Sequence, residues 1–257
     1  MSKSSFWSVA RFVAWRNLRV TLRSPSLLLP ALLFPLFFFI AFVGALSSLA
    51  DVQGASTNDY TAFLFVFVLM QSAAFTGALG GIGMVEDFET GFIQRLMAAA
   101  PHRLAIVVGY ATAMFLRGVL AVVILTGVAF LFGMNVDGGA LDLVGLYGLA
   151  ALLNLATTFW ATALALYVRS FRAAAAITMP LFLLLFLAPV YVPLDQLKGW
   201  LHTVAKVNPL SYVLESGRGF IFGSPTDVLI AYGASVGMVV GLAVLALTGL
   251  RSAERAG

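Results

Sequence analysis

The chain has 257 residues, of which 61% are hydrophobic and 10% are charged, and its net charge is +4. A water-soluble fold of this length cannot bury so much apolar surface, so the composition excludes a soluble domain and predicts an all-α polytopic membrane protein. Cysteine is absent from the chain, which excludes disulfides and thiolate metal sites.

The first predicted element is a helix over residues 6–23 that lies on the inner leaflet of the membrane. Arg16, Arg19 and Arg23 fall on one stripe of this helix, and its tryptophans are suited to headgroup depth. Each such base near anionic lipid contributes about 1 kcal/mol. The alternative interpretation is a basic flank that only orients the first span.

Six apolar runs are long enough to cross a bilayer core, which needs roughly 20 helical residues. They cover residues 26–48, 60–85, 104–133, 143–167, 173–192 and 227–250. An even number of spans puts both ends on one side of the membrane. Eleven Lys and Arg residues lie on that side and three lie opposite, so the positive-inside rule predicts cytoplasmic termini. The first run is longer than the roughly 7–15 apolar residues of a signal peptide, which favours an anchor over a cleaved leader.

Small residues spaced by four form ladders in the second and sixth spans. The ladders are Ala73, Gly77 and Gly81, and Gly233, Gly237 and Gly241. Each ladder predicts a groove in which another helix backbone approaches closely, either in this chain or in a second one.

The segment between the second and third spans combines acidic and apolar residues. A helix is predicted over residues 86–100, with Glu86, Asp87 and Glu89 in a first turn where the helix dipole favours carboxylates. One face of it carries Phe88, Phe92, Leu96 and Ala99, and Pro101 ends it. The pattern fits either a short helix that presses against another protein or a solvated connector.

The longest outward segment, residues 193–223, predicts two short amphipathic helices broken at Asn208-Pro209. The two helices form either a re-entrant hairpin at membrane depth, which needs protein or a wet cavity around it, or a cap on the outer leaflet.

Polar residues inside the spans are the remaining candidates for a substrate path. Arg117 either pairs with Glu86, Asp87 or Glu89 near the inner boundary, or lines the entry to a substrate cavity. Four uncharged side chains are either interhelical hydrogen-bonding groups or ligands, and these are Gln71, Asn154, Thr157 and Thr158.

Several kinds of chemistry are excluded by what the chain lacks. No Gly-Lys dipeptide occurs, so a phosphate-binding loop is missing. The two histidines fall on opposite sides of the predicted membrane and cannot share a metal or a catalytic dyad. Ser235 lies in a G-x-S-x-G pattern, but the pattern sits inside an apolar helix with no base available. The spans also lack the acidic relay groups that ion-coupled carriers use, so the energy source is expected elsewhere.

Three segments together resemble one family. The first runs from an acidic residue to a proline and a base, and its matching residues are Glu86, Gly91, Gln94, Arg95, Leu96, Pro101 and Arg103. The basic segment "LRVTLRSP" and the outward segment "WLHTVAKVNPLSYVLESGRGFIFG" are the other two. They resemble the membrane subunits of ATP-binding-cassette (ABC) exporters of the second exporter type, a group that includes daunorubicin-resistance-like drug exporters and polysaccharide or lipid exporters. Phe92 stands where a threonine is more usual in that family.

The resemblance implies a six-helix permease that exports an amphiphilic substrate from a bacterium through its plasma membrane. Its partners would be two copies of an ABC ATPase, which bind ATP and Mg²⁺, and a second membrane subunit, identical or related; the chain itself would hold no cofactor and bind no nucleic acid. The helix over residues 86–100 would be the coupling element that contacts the ATPase, braced by the helix over residues 6–23. Its implied coupling residues are Glu86, Asp87, Glu89, Gly91, Phe92, Gln94, Arg95, Leu96 and Pro101. The competing hypothesis is a self-contained channel or carrier that is not driven by ATP.

Overall fold

The computed structural model describes residues 3–23, 33–44, 57–99, 102–190 and 193–255. Pro101, the Ser24-Pro25 boundary and both ends of the predicted first span lie outside these residues. The elements in chain order are α1 (Lys3–Arg23), α2 (Leu33–Gly44), α3 (Thr57–Glu89), α4 (Phe92–Ala99), α5 (Arg103–Leu131), α6 (Ala140–Val168), α7 (Ala173–Phe186), a 3-10 turn (Leu194–Gln196), α8 (Gly199–Val207), α9 (Pro209–Ile221) and α10 (Val228–Arg255). All regular structure in the described residues is helical, which confirms the predicted all-α class.

Within the described residues, four helices are long and apolar enough to cross a membrane, and they are α3, α5, α6 and α10. Helix α2 is the described part of the first predicted span, and α7 is shorter than the span predicted over residues 173–192. Helix α7 ends at Phe186, before the predicted end of its span at residue 192. The physical reason is Pro189, because a proline disfavours helical backbone at the preceding residue and has no N–H to donate.

Helix α3 is the buried centre of the bundle, and α6 is its main partner. The ladder in α3 makes this approach possible. A Cβ atom on Gly81 would lie 3.1 Å from the Ala161 backbone, and one on Gly77 would lie 2.7 Å from the Asn154 carbonyl oxygen. The groove predicted for the second span is therefore confirmed, and α6 fills it.

The ladder in α10 behaves differently. Nothing in the described part of the chain lies within 4 Å of a Cβ atom built on Gly233, Gly237 or Gly241. Helix α10 packs on α6 and α9 through its other residues, and much of its surface is exposed. The close helix contact predicted for this ladder is not made within the described chain.

Helix α1 packs along α5. The contact is close at Gly109, where a Cβ atom would lie 2.7 Å from both the Ala10 carbonyl oxygen and the Val13 Cβ. The opposite face of α1 exposes Trp7 and Trp15 together with arginines. This face has the composition that the sequence predicted for contact with a membrane surface.

The outward segment breaks at Asn208-Pro209 as predicted. Asn208 caps α9, because its side-chain oxygen accepts from the Leu210 N–H at 3.0 Å, and Pro209 stands at the first helical position. Helix α9 is buried against α3, α6 and α10, whereas α8 is exposed and leaves 71% of Trp200 open. The first of the two helices begins at Gly199, and the 3-10 turn Leu194–Gln196 precedes it.

Candidate functional site

The acidic residues of the segment between the second and third spans belong to α3. This helix continues to Glu89, and a turn at Thr90-Gly91 separates it from α4. The prediction of one helix over residues 86–100 was wrong, because Gly91 adopts φ +72° and this left-handed residue ends α3. The carboxylates therefore lie in a last helical turn, where the helix dipole disfavours them.

Asp87 is neutralised by Arg16 of α1. Arg16 Nη1 donates to Asp87 Oδ2 at 2.7 Å and Nη2 donates to Oδ1 at 2.9 Å, a two-pronged ion pair. The Tyr110 hydroxyl of α5 donates to the same Oδ2. The hydrogen bonds that Arg16 donates to Asp87 raise the pKa of Arg16 above its ordinary value. The pair offsets the unfavourable position of Asp87 at the helix end.

Arg16 also contacts α4. Its guanidinium carbon lies 3.8 Å from the centre of the Phe92 ring, a cation–π contact. We call Arg16, Asp87, Phe92 and Tyr110 the Arg16 cluster. Four helices meet in it, namely α1, α3, α4 and α5, so the position of α4 is tied directly to the bundle.

Helix α4 has two different faces. Ile93 is fully buried, and Phe92 and Leu96 are half-buried against the bundle. Gln94 and Arg95 are exposed, together with Ala98 and Ala99. The predicted common face over Phe88, Phe92, Leu96 and Ala99 was wrong, because the turn at residues 90–91 places Phe88 in α3, and Ala99 is exposed at the last position of α4. The exposed face is the part of α4 that another protein can reach.

The other predicted coupling residues close the turn between α3 and α4. Gln94 Nε2 donates to the Phe88 carbonyl oxygen at 2.9 Å, and the same oxygen accepts from the Gly91 N–H at 3.0 Å at the end of α3. Glu89 Oε1 accepts from the Phe171 N–H at 2.6 Å and so joins α3 to the turn between α6 and α7. Glu86 is exposed.

The three arginines of α1 differ in environment. Arg16 is directed into the Arg16 cluster, whereas Arg19 and Arg23 are exposed. The shared stripe in the sequence therefore divides between a contact inside the protein and a surface available to lipid or solvent.

Arg117 makes none of the three ion pairs predicted for it among the described residues. Its Nη2 donates to the Asn17 carbonyl oxygen of α1 at 2.7 Å, and its Nε finds no partner in the described part of the chain. Asp87 is already occupied by Arg16 and Tyr110, and Glu86 and Glu89 are exposed. The predicted pairing was wrong for that reason, and Arg117 instead fastens α5 to α1.

The uncharged polar residues of the spans are buried and dispersed. Asn154 Nδ2 donates to the Ala73 carbonyl oxygen at 2.7 Å, an interhelical bond, and Thr157 bonds within α6. Gln71 and Thr158 are fully buried, and their side-chain polar atoms find no partner among the described residues. Ser235 donates to the Ala231 carbonyl oxygen at 2.8 Å inside α10, which is a packing role.

Apolar grooves open between the helices in the described part of the chain. A groove of about 340 Å³ between α5 and α6 is bounded by Asn154 and by a hydroxyl pair, Thr126 and Tyr147, whose oxygens lie 2.9 Å apart. A second of about 390 Å³ lies among α6, α7 and α10, and includes Thr157 and Gly237. A third of about 380 Å³ lies among α5, α6 and α10. Arg117 lines none of the three.

Two important groups were missed by reasoning from sequence. In the sequence, Tyr110 is one aromatic residue in an apolar run. Only its spacing of seven residues from Arg117, about two helical turns, indicated that the two share a helix face. Arg218 counted only as an outward base, yet it is 3% exposed and pairs with Glu215. The spacing of three residues between these opposite charges was the available signal.

The chain is similar to known transport proteins. The ABC-2 type transporter family model matches residues 9–222. The chain is 24% identical over 237 residues to the daunorubicin resistance ABC transporter permease protein DrrB1 of Streptomyces coeruleorubidus, covering 91% of this chain and 82% of that one. It is 23% identical over 196 residues to a protein of Mycobacterium tuberculosis named "Probable doxorubicin resistance ABC transporter permease protein DrrC", covering 76% and 70%. It is also 29% identical over 223 residues to a protein of Cyanophora paradoxa named "Putative transport permease ycf38", covering 84% and 76%.

Proposed function

Because the chain belongs to the ABC-2 type transporter family, we propose that it is the membrane-spanning half of an ATP-driven exporter. As a member of this family it is a multi-pass permease that works with an ABC ATPase, and it is not itself the enzyme of the pair. In the proposal, two ATPase copies bind ATP and Mg²⁺. A second membrane subunit, identical or related, completes the path. The assembly lies in the plasma membrane of a bacterium, with both termini of this chain in the cytoplasm.

The Arg16 cluster is the observation that supports this proposal most strongly. Arg16 belongs to α1, and its guanidinium bonds to Asp87 at the end of α3 and stacks on Phe92 of α4. A force applied to α4 is therefore passed to two other helices without an intervening flexible loop. This is the property required of an element that receives work from a separate ATPase.

The exposed face of α4 is the proposed contact with the ATPase. Gln94 and Arg95 offer hydrogen-bond donors, while Ile93 on the opposite face is packed in the bundle. Glu86 and Glu89 lie exposed at the adjoining end of α3 and extend this surface. Closure of the ATPases would displace α4, and the Arg16 cluster would carry the displacement into α1, α3 and α5.

The substrate that we propose is an amphiphilic molecule, either drug-like or linked to a lipid or polysaccharide. The three grooves are lined almost entirely by apolar side chains, with a few polar groups such as Asn154 and Tyr147 at their margins, a composition that suits such a molecule. Daunorubicin and doxorubicin resistance in the names of two similar proteins favours the drug-like class.

The test uses charge reversal on α4. The chain is co-expressed with the ABC ATPases of its host, and Arg95→Glu is compared with Arg251→Glu, which reverses an exposed charge in α10. We expect Arg95→Glu to lose ATPase association and ATP-dependent export in vesicles, and Arg251→Glu to retain both. Equal behaviour of the two variants would contradict the proposed docking face. Uphill export by the purified chain without any ATPase would contradict the proposed function as a whole.

A further inference from the structure

A second charged cluster lies at the opposite end of α3. Arg218 of α9 is buried, and its Nη1 donates to Glu215 Oε1 at 2.9 Å. Its Nη2 donates to the Val190 carbonyl oxygen at 2.8 Å, in the segment that leaves α7. Its guanidinium carbon lies 3.6 Å from the centre of the Phe63 ring, in the first part of α3. We call Phe63, Glu215 and Arg218 the Arg218 cluster.

The Arg218 cluster fixes α9 on several sides. Glu215 Oε1 also accepts from the Leu194 N–H at 3.1 Å. The pair of Arg218 and Glu215 therefore bonds to the backbone at both Val190 and Leu194. At the far end of α9, the Ile221 carbonyl oxygen accepts from the N–H groups of Asp137 and Gly138 at 3.0 and 3.1 Å. Helix α9 is thereby bonded to the outer turn between α5 and α6.

Because Arg218 is buried, removing its partner alone would destabilise the fold, so the two charges must be kept or replaced together. A buried ion pair has lost hydration, and removal of one partner leaves an uncompensated charge. Arginine suits the site better than lysine, because its planar group bonds Glu215 and Val190 while its face stacks on Phe63. Simple anchoring of a loop would not need a charge at this depth.

Helix α3 connects the two charged clusters. It is continuous from Thr57 to Glu89, about 50 Å at 1.5 Å per residue, with Phe63 near one end and Asp87 near the other. Almost all of its central residues are buried, so the surrounding helices pack against it along that length. A displacement of α3 at Asp87 therefore also moves the part of the helix that carries Phe63.

We propose that Arg218 is a positioning residue for export, which couples α3 to the outward hairpin so that movement of α4 repositions α9 at the outer face. The inference rests on the proposed function and deepens it. The Arg16 cluster receives the movement, α3 carries it, and the Arg218 cluster delivers it to the hairpin.

The experiment compares export per ATP hydrolysed in vesicles that contain the chain and its ATPase. The main variant is Arg218→Met with Glu215→Leu, which replaces the buried arginine and its half-buried partner together. Replacing an ion pair of low solvent exposure by apolar groups of similar size is often neutral for stability. We expect wild-type abundance, melting temperature and ATP hydrolysis, with export per ATP reduced by about tenfold, the size of a typical coupling between two sites. The control is Lys206→Met, which removes an exposed charge on α8 and should change nothing.

A variant that is abundant, stable and still exports with the wild-type ratio would overturn the inference. If the double variant does not fold, Phe63→Leu serves instead, because it removes the ring contacts of Phe63 with Arg218 and Tyr60 and leaves the bond between Arg218 and Glu215 in place. It should lower export per ATP at unchanged melting temperature, and an unchanged ratio would again overturn the inference. Failure of the proposed function is distinguishable, since the unaltered chain would then show no ATPase-dependent export.

Discussion

Exchanging Gly77 for alanine measures how closely α3 and α6 pack. The added Cβ would lie 2.7 Å from the Asn154 carbonyl oxygen and 2.9 Å from the Thr158 nitrogen, and it would also collide with the Thr157 side chain. Two of these three atoms belong to the backbone and cannot rotate away, so the helices must move apart. Overpacking of this kind costs typically about 1–3 kcal/mol, whereas alanine gains at most roughly 1 kcal/mol over glycine in a helix.

The expected net loss for Gly77→Ala is about 1–2 kcal/mol, which lowers the melting temperature by about 2–8 °C in a chain of this size. The matched control is Gly233→Ala in α10, where nothing lies within 4 Å of the added atom. It should be neutral or slightly stabilising. Thermal unfolding of both purified variants in mild detergent provides the measurement.

Two outcomes would refute the reasoning. Wild-type stability of Gly77→Ala would mean that α3 and α6 do not approach as described. A loss in Gly233→Ala as large as that in Gly77→Ala would mean that another helix covers the α10 ladder in the solubilised protein.

Two further substitutions test buried polar groups. Gln71→Leu should raise the melting temperature, because neither amide atom of the fully buried Gln71 has a partner among the described residues and an unsatisfied buried group costs about 1–3 kcal/mol; a fall would show that the amide is bonded in the working protein. Arg117→Leu removes the bond that holds α5 to the Asn17 carbonyl oxygen, and should reduce abundance or ATPase coupling while leaving the range of exported compounds unchanged. A changed range at normal abundance would contradict that role.

Local sequence signals predicted the helices well where one signal dominated. The long apolar runs appear as α3, α5, α6 and α10 because a bilayer requires backbone groups to bond within their own segment. The break at Asn208-Pro209 followed from the chemistry of proline and of the capping asparagine. The end of α7 was missed at Pro189, although the same chemistry applied there.

The sequence located the segment that forms the candidate site, but it did not predict how the helices and side chains of that segment are arranged. Its acidic residues, Gly91 and the apolar face of α4 were all recognised, but the boundary between α3 and α4 was misplaced. Acidic residues at a helix end are disfavoured locally, so local rules assigned Glu86 and Asp87 to the start of a new helix. Arg16, distant in sequence, removes that penalty at Asp87, and no local rule includes it.

The sequence by itself determined that this chain is a helical membrane protein, located the four segments that form long apolar helices, and located an acidic segment and the break at Asn208-Pro209. These properties depend on composition and on neighbours within a few residues. Only the tertiary structure decided which ladder is filled, which arginine meets Asp87, and that Arg218 is buried on Phe63. Contacts between helices depend on how whole helix faces pack. Two ladders of small residues with the same spacing therefore differ in what they contact, because the ladder in α3 faces α6 closely and the ladder in α10 faces no helix closely.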